Sequence, residues 1–299
     1  TVGRVKALSV DGTASGLEGL EKQGGLPIKN WSKGAFPEAA NISGPTMTKM
    51  ILAKPGMCPY CTIITCWRFI RSPDGTLGRG PEYETLAALG SLCMNGTLES
   101  IVKANEVCNR LGMDTISTGS TIAFAMECYE KGVLSKDDVG GLDLTWGNSD
   151  AILKLTRLIG LKEGFGAVLA EGVKRAAEKI GKGAERYAIH VKGMELPMHD
   201  PRRWWTMALN YATANRGGCH HQGIPVYLEW GYLQPEFGFS EKLKPFETRG
   251  VAAATRFHQD FHAAFTSMGH CAFTIGGVIP FTIVTEAFKA VTGRQVDHW

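Results

Sequence analysis

The stretch Leu98-Glu-Ser-Ile-Val-Lys-Ala-Asn-Glu-Val-Cys-Asn-Arg-Leu111 sets Ile101, Val102, Ala104, Val107, Cys108 and Leu111 at i, i+3, i+4 intervals, the mark of a helix with one apolar face. Its neighbours read the same way. Before it, Pro81 suits a first helical turn, Glu82 and Glu84 lie where a helix dipole favours acids, and Leu86, Leu89 and Cys93 continue an apolar stripe. After it, Thr115 to Lys131 carries Ile116, Ile122, Ala123, Met126 and Cys128, with Gly132 as a stop. Ser149 to Lys162 and Ala167 to Ile180 add two more, the last with Glu171, Lys174 and Glu178 placed for surface ion pairs. So dense a run of helices predicts a mainly α, multi-helical fold with little room for a parallel sheet.

Outward from that run the texture changes. Residues 1–57 are rich in Gly and polar residues and read as a lead-in with one helix near Gly16 to Lys22. Ser72-Pro-Asp-Gly75 suits a tight turn. Near residue 190 the Lys/Glu helices give way to Pro-interrupted, aromatic and His-containing segments, which divides the chain into an α-helical domain over 1–190 and a second α-helical domain over 191–299. Tyr187 to Lys192 alternates like a short strand, and helices are predicted over 203–215 and 248–268. Between them, 217–239 is an irregular excursion of a length that usually serves a function.

Composition narrows the function. Of 299 residues 44% are hydrophobic and 20% charged, as in ordinary globular proteins. Thirty-two basic residues against 29 acidic ones give a net charge of +3, and without a basic, aromatic-interleaved tract nothing points to nucleic acid. The longest apolar stretches, such as Val278 to Val284, fall short of a membrane span. Clustered rather than regularly paired cysteines favour a reducing, cytoplasmic setting.

Chemistry concentrates in a few places. Cys58-Pro-Tyr-Cys61-Thr-Ile-Ile-Thr-Cys66 crowds three thiols, and a cubane iron–sulfur cluster takes three close thiolates and a distant fourth, for which Cys271 in Ser-Met-Gly-His-Cys-Ala-Phe is the best partner. A zinc half-site, a redox dithiol or a disulfide remains open from spacing alone. Cys93, Cys108 and Cys128 read as buried core thiols. Glu82 and Glu84 are acid–base candidates or plain helix-end charges. Arg216-Gly-Gly-Cys-His-His221 joins glycines to a cation and two imidazoles, and Asn109 to Gly119 joins two helices with small polar groups that suit either capping or a polar cofactor.

These segments together resemble the aldehyde ferredoxin oxidoreductase family of tungsten-pterin enzymes. The resemblance rests, in order, on Gly25-Leu-Pro-Ile-Lys-Asn30, Cys58-x-x-Cys61, Gly80-Pro-Glu-Tyr-Glu-Thr85, Leu111-Gly-Met-Asp-Thr-Ile-Ser-Thr-Gly119, Lys162-Glu-Gly-Phe-Gly166, Glu195-Leu-Pro-Met-His-Asp-Pro-Arg202, Ala214-Asn-Arg-Gly-Gly-Cys-His220 and Gly269-His-Cys271. It spans nearly the whole chain. It implies the family's middle domain and part of its third, with the β-rich pterin-base domain and further C-terminal sequence lying outside these residues. It implies a [4Fe-4S] cluster on Cys58, Cys61, Cys66 and Cys271 beside a tungsten (or molybdenum) bis-pterin centre. Glu84 and His220 would move protons near the metal. Asn109, Gly112, Met113, Asp114, Arg216, Thr266, Gly269 and His270 would contact the pterins. The implied reaction oxidises aldehydes to carboxylates and passes electrons to ferredoxin or another iron–sulfur carrier, with a homo-oligomer or an added electron-transfer subunit compatible. A same-superfamily reductase of an acid or aromatic acyl thioester is the alternative within the class, and a helical module binding zinc structurally is the alternative outside it.

Several positions depart from the family pattern. Cys66 comes one residue later than the usual Cys-x-x-Cys-x-x-x-Cys, so the loop must bulge to deliver it. Asn109 and Thr266 replace the leading aspartates of the two pterin motifs, and Met113 and His270 occupy middle positions. Asp138-Val-Gly-Gly-Leu-Asp143 matches the motif but lacks the following Thr-Ile-Ser-Thr-Gly and is read as a decoy. Lys103-Ala-Asn-Glu106 cannot supply the Glu-x-x-His of a subunit-bridging metal, so none is predicted there.

Overall fold

The computed structural model describes residues 2–59, 61, 65–72, 74–274 and 281–296. Helices dominate, as the periodicity predicts, and among the described residues the sheets are small and antiparallel. The lead-in is more helical than its composition suggests: α1 (Val2–Asp11), α2 (Leu17–Lys22) and α3 (Gly44–Ile51). Ser43 starts α3 by accepting from the Thr46 amide, with proline in the first turn.

The thiol loop is followed by a strand rather than directly by a helix. It is the connection between two antiparallel strands, β1 (Leu52–Gly56) and β2 (Trp67–Arg71), and β3 (Leu77–Arg79) completes the sheet. The predicted turn joins β2 to β3: Gly75 N donates to Ser72 O at 2.8 Å and Gly75 has φ +85°. Pro73 lies outside the described residues.

α4 (Tyr83–Leu89) follows at once and stops at Gly90, so Cys93 sits in a separate 3-10 turn rather than on the α4 stripe. α5 (Leu98–Leu111) matches its predicted bounds, but Leu111 is 41% exposed, because the helix end turns out of the core. α6 (Thr115–Glu130) is the central helix. Every residue from Thr118 to Met126 is buried, so it has no polar face there. Gly119 lets α4 and α6 touch: a Cβ there would lie 2.5 Å from the Ala88 carbonyl group.

α7 (Ser149–Leu161) packs on α5. The helix expected over 167–180 is two, α8 (Gly166–Leu169) and α9 (Gly172–Ile180), broken where Gly172 adopts φ +83°. A side chain from elsewhere caps the second piece: Glu195 accepts from Val173 N at 2.7 Å. Glu171 pairs with Arg175 at 3.1 Å, the observed i, i+4 partner. The change of texture near residue 190 falls on a two-strand hairpin, β4 (His190–Val191) and β5 (Met194–Glu195). Beyond it come α10 (Trp205–Thr213), α11 (Val226–Trp230) within the excursion, α12 (Val251–Ser267) and α13 (Phe281–Thr292). One apolar core runs through all of this, from Leu20 and Leu89 to Trp204 and Phe265. Each such side chain contributes about 1.5–3 kcal/mol on burial. Among the described residues no helix is long and apolar enough to cross a membrane.

Candidate active site

A cavity of about 1190 Å³ opens between the lead-in helices, the start of α4, the start of α6, the segment after β5, the 216–221 loop and α11. Of the residues singled out from sequence, Cys66, Glu82, Glu84, Asp114, Arg216, His220 and His221 line it. Asn109, Gly112, Met113, Thr266, Gly269, His270, Cys58, Cys61 and Cys271 do not.

Glu84 is the centre of its polar wall. α4 carries it in the first turn, and Glu84 Oε2 accepts from Met198 N at 2.7 Å. Oε1 has no hydrogen-bond partner. It lies 3.5 Å from His199 Nε2 and 3.7 Å from His220 Nε2. Burial pushes the Glu84 carboxyl up to about 8, against the Met198 amide, and Asp114 adds to the rise. Burial pushes His199 down to about 4 and His220 well below its ordinary value, the latter helped by His221, His199, Arg216 and His262. Near neutral pH the three groups therefore form an uncharged cluster, with the proton on the carboxyl group and both imidazoles neutral.

His199 was not singled out as a site residue, though it lies in the Glu195-to-Arg202 segment. Its ring stacks on Tyr83 at 5.3 Å and meets Trp230 edge-on at 5.9 Å. Tyr211 Oη donates to its carbonyl, and the Tyr83 hydroxyl to the carbonyl of Met198. The His-Asp-Pro sequence held too little signal, because the imidazole matters through Glu84, more than a hundred residues away.

The 216–221 loop is held from both sides. Arg216 donates from Nε and Nη2 to Cys219 Sγ at 3.0 and 2.7 Å, and His221 N donates to the same sulfur at 3.3 Å. Asn210 on α10 donates to the carbonyls of Cys219 and Gly223. Gly217 (φ +118°) and Gly218 pass so close to the β4–β5 hairpin that neither has room for a side chain.

The four proposed cluster thiols act on one another. Cys58 is raised first by burial and then by Cys61 and Cys271, while Cys66 is pushed up to about 12 by burial, then Glu82, Cys271, Cys58 and Cys61. Thr65, just before Cys66, lies in the left-handed region (φ +48°), and its carbonyl accepts from Arg68 Nη1 at 3.0 Å. Residues 62–64 lie outside the described residues. Among the described residues no three His, Cys, Asp or Glu side chains converge as ligands of a single ion would.

Asn109 to Asp114 and Thr266 to Cys271 share one geometry. Each is a helix end closed by a left-handed glycine, Gly112 (φ +67°) and Gly269 (φ +75°). In each the next amide reaches five residues back, Met113 N to Cys108 O and His270 N to Phe265 O. Asp114 then caps α6 through Ser117 N at 2.7 Å, and Cys271 occupies the matching place in the second turn. Met113 packs toward Gly160, His270 lies on Phe265 at 4.8 Å, Thr266 donates to His262 O, and Asn109 is exposed. Asp138 caps its own turn through Ser135.

Residues 3–299 match the family model described as aldehyde ferredoxin oxidoreductase, domains 2 and 3. The chain belongs to the aldehyde ferredoxin oxidoreductase family. Over 271 residues it is 38% identical to the tungsten-containing aldehyde ferredoxin oxidoreductase of Pyrococcus furiosus, covering 89% of this chain and 43% of that protein. Thermococcus kodakarensis has a protein of the same name, 37% identical over 270 residues, again covering 89% and 43%. A WOR-like subunit of an aliphatic sulfonate oxidoreductase from P. furiosus is 36% identical over 236 residues, 75% of this chain and 37% of that one. Among solved structures, the active-site complex BamBC of benzoyl coenzyme A reductase with 1,5-dienoyl-CoA has the same fold, with TM-score 0.70 and 19% identity over 92% of this chain and 47% of that one. The chain thus spans less than half the length of the family members it matches.

Proposed function

We propose that this chain is the part of a tungsten (or molybdenum) bis-pterin oxidoreductase that carries its proton-handling residues and the thiols of a [4Fe-4S] cluster. The whole enzyme would oxidise aldehydes to carboxylates and pass electrons to ferredoxin or another iron–sulfur carrier. The observation that carries this reading is the contact of Glu84 Oε1 with both His199 and His220 on the wall of one large cavity.

The residues suit the groups the family name implies. The cavity exceeds the roughly 300–1,000 Å³ of ordinary small-molecule sites. Cys58 and Cys66, raised by burial and by the neighbouring thiols, are poor thiolates by themselves and become stable ones beside a cationic centre, so with Cys61 and Cys271 they would hold the cluster. The matching glycine turns at Gly112 and Gly269 offer two equivalent backbone approaches for two pterins, with Asp114 at the cavity wall. When bound, the metallopterin supplies two-electron chemistry and the cluster a one-electron exit.

The chain's own residues do the rest. Converting an aldehyde to an acid takes oxygen from water and releases two electrons and two protons, so a base must accept protons inside a dry pocket. Neutral His220, aimed at Glu84, accepts one at Nε2. That proton comes from Oε1 of Glu84, which the Met198 amide keeps in place and which takes up the next proton released in the pocket. Arg216 and Cys219 fix the loop on which His220 rides.

On the complete protein, metal analysis and dye-linked oxidation of an aldehyde panel test the reading. Tungsten or molybdenum with about four irons per chain, and a loss of about 10²-fold or more in Glu84→Gln, are expected. Zinc alone, or reduction of acids or acyl thioesters without aldehyde oxidation, would overturn it.

A further inference from the structure

A cavity filled by cofactor and substrate leaves bulk water little access to Glu84, so protons released there need a route along the protein. Taking proton release at Glu84 from the proposed function, we infer that His221 is the outer end of that route: protons pass from Glu84 to His220, then to His221, and leave to solvent from its ring.

The geometry supports each link. His220 Nε2 is 3.7 Å from Glu84 Oε1, a gap that a small ring rotation closes. The His220 and His221 rings are 4.1 Å apart, tilted by 45°. His220 is largely buried, whereas His221 both lines the cavity and is exposed at its rim. Their spacing is fixed rather than incidental, because the His221 amide and the Arg216 guanidinium hold the same Cys219 sulfur and Asn210 grips the backbone on either side. A proton relay needs such a pair: imidazole takes a proton on one nitrogen and releases one from the other.

The surroundings keep both rings neutral at rest, so a proton that reaches them is passed on rather than retained. Arg216 on the same loop, His199 after β5 and His262 on α12 all face it, and each disfavours a resting positive charge on at least one of the two rings. Asp114, before α6, is the other exposed titratable group on the cavity wall that acts on Glu84, but its carboxylate is committed to capping Ser117 N. His262 is fully buried and leads nowhere.

The test uses the metal-loaded complete enzyme and whichever two-electron substrate the wild type turns over, be it aldehyde, acid or acyl thioester. A wild type inactive on aldehydes counts against the proposed function alone, since the relay serves any of these proton-coupled reactions. In His221→Phe, kcat should fall about tenfold or more in dilute buffer, with KM and metal content unchanged and the solvent deuterium isotope effect increased. Added imidazole or a concentrated small buffer should restore kcat, which a merely structural role would not allow. Asp114→Asn should show no buffer rescue. Undiminished kcat in His221→Phe, or a loss that no buffer restores, would overturn the assignment, and rescue appearing in Asp114→Asn instead would move the exit there.

Discussion

His199 Nε2 lies 3.5 Å from Glu84 Oε1, and the amide of the preceding residue, Met198, donates to Glu84 Oε2 at 2.7 Å. One short segment after β5 therefore holds one oxygen and faces the other of a carboxyl group that α4 delivers. His199→Phe keeps the stack on Tyr83 and the edge contact with Trp230 but removes the only polar atom of that segment facing Oε1. With a less polar neighbour, the Glu84 carboxyl should rise further. The limb of the pH–rate profile that reports it should shift to higher pH, with a fall in kcat of about tenfold. An unchanged profile in the variant would show that His199 only fills space.

The same burial predicts how stability depends on pH in the metal-free protein. Between about 4 and 6.5 the unfolded chain binds protons at His199, His258 and His262 that the folded chain refuses, their folded values being about 4, 3 and 4, so stability rises with pH there. Glu84 works in the opposite sense. Between 4.5 and about 8 the folded chain keeps a proton that the unfolded chain has lost, and stability falls as pH rises. Below 6.5 the histidines, with His220 and His221 lowered in the same direction, outweigh Glu84, and above it Glu84, with its folded value of about 8, comes into range; the raised Glu82 and Glu229 act in the same direction as Glu84. Denaturant melts should therefore show a maximum near pH 6.5 and a decline toward 8 of up to about 1.4 kcal/mol per pH unit. Glu84→Gln should flatten that decline, and a decline persisting in the variant would assign it to other groups.

What was legible in the sequence was what rests on local pattern. α5, α7, α10 and α12 declare themselves by periodicity, and the 72–75 turn by its residues. The break between α8 and α9 could not be read, because Glu195, far along the chain, makes it favourable by capping Val173 N. The strands flanking the thiol loop are short and were hidden by its cysteines. In the site, Glu84 and His220 followed from a family resemblance, whereas His199 and His221 acquire meaning only when α4, the segment after β5 and the 216–221 loop meet.

A close helix approach in the core makes a stability prediction independent of any cofactor. A Cβ at Gly119 would lie 2.5 Å from both the carbonyl carbon and oxygen of Ala88 and 2.7 Å from its Cβ, and backbone cannot swing aside as a long side chain can. Gly119→Val should lower the urea midpoint by an amount equivalent to about 1–3 kcal/mol or more, because α4 and α6 must separate. Gly3→Ala on exposed α1, where nothing lies within 4 Å, is the control and should raise stability by up to about 1 kcal/mol. Equal midpoints in the two variants would mean that α4 and α6 do not pack as described.

Cysteine substitutions separate the thiols by role. Cys66 and Cys58 each respond to Cys271, so a residue beyond α12 reaches the loop between β1 and β2. If these sulfurs share one cluster, Cys271→Ser in the complete protein should lose the broad iron–sulfur absorption and about four irons per chain. Cys66→Ala should do the same, since that thiol responds to the other three. Cys128→Ala, a change at a fully buried thiol in the last turn of α6, should leave the spectrum intact and cost only packing energy. A normal spectrum in Cys271→Ser would remove that residue from the ligand set, and loss of the spectrum in Cys128→Ala as well would mean that the signal reports folding rather than ligation.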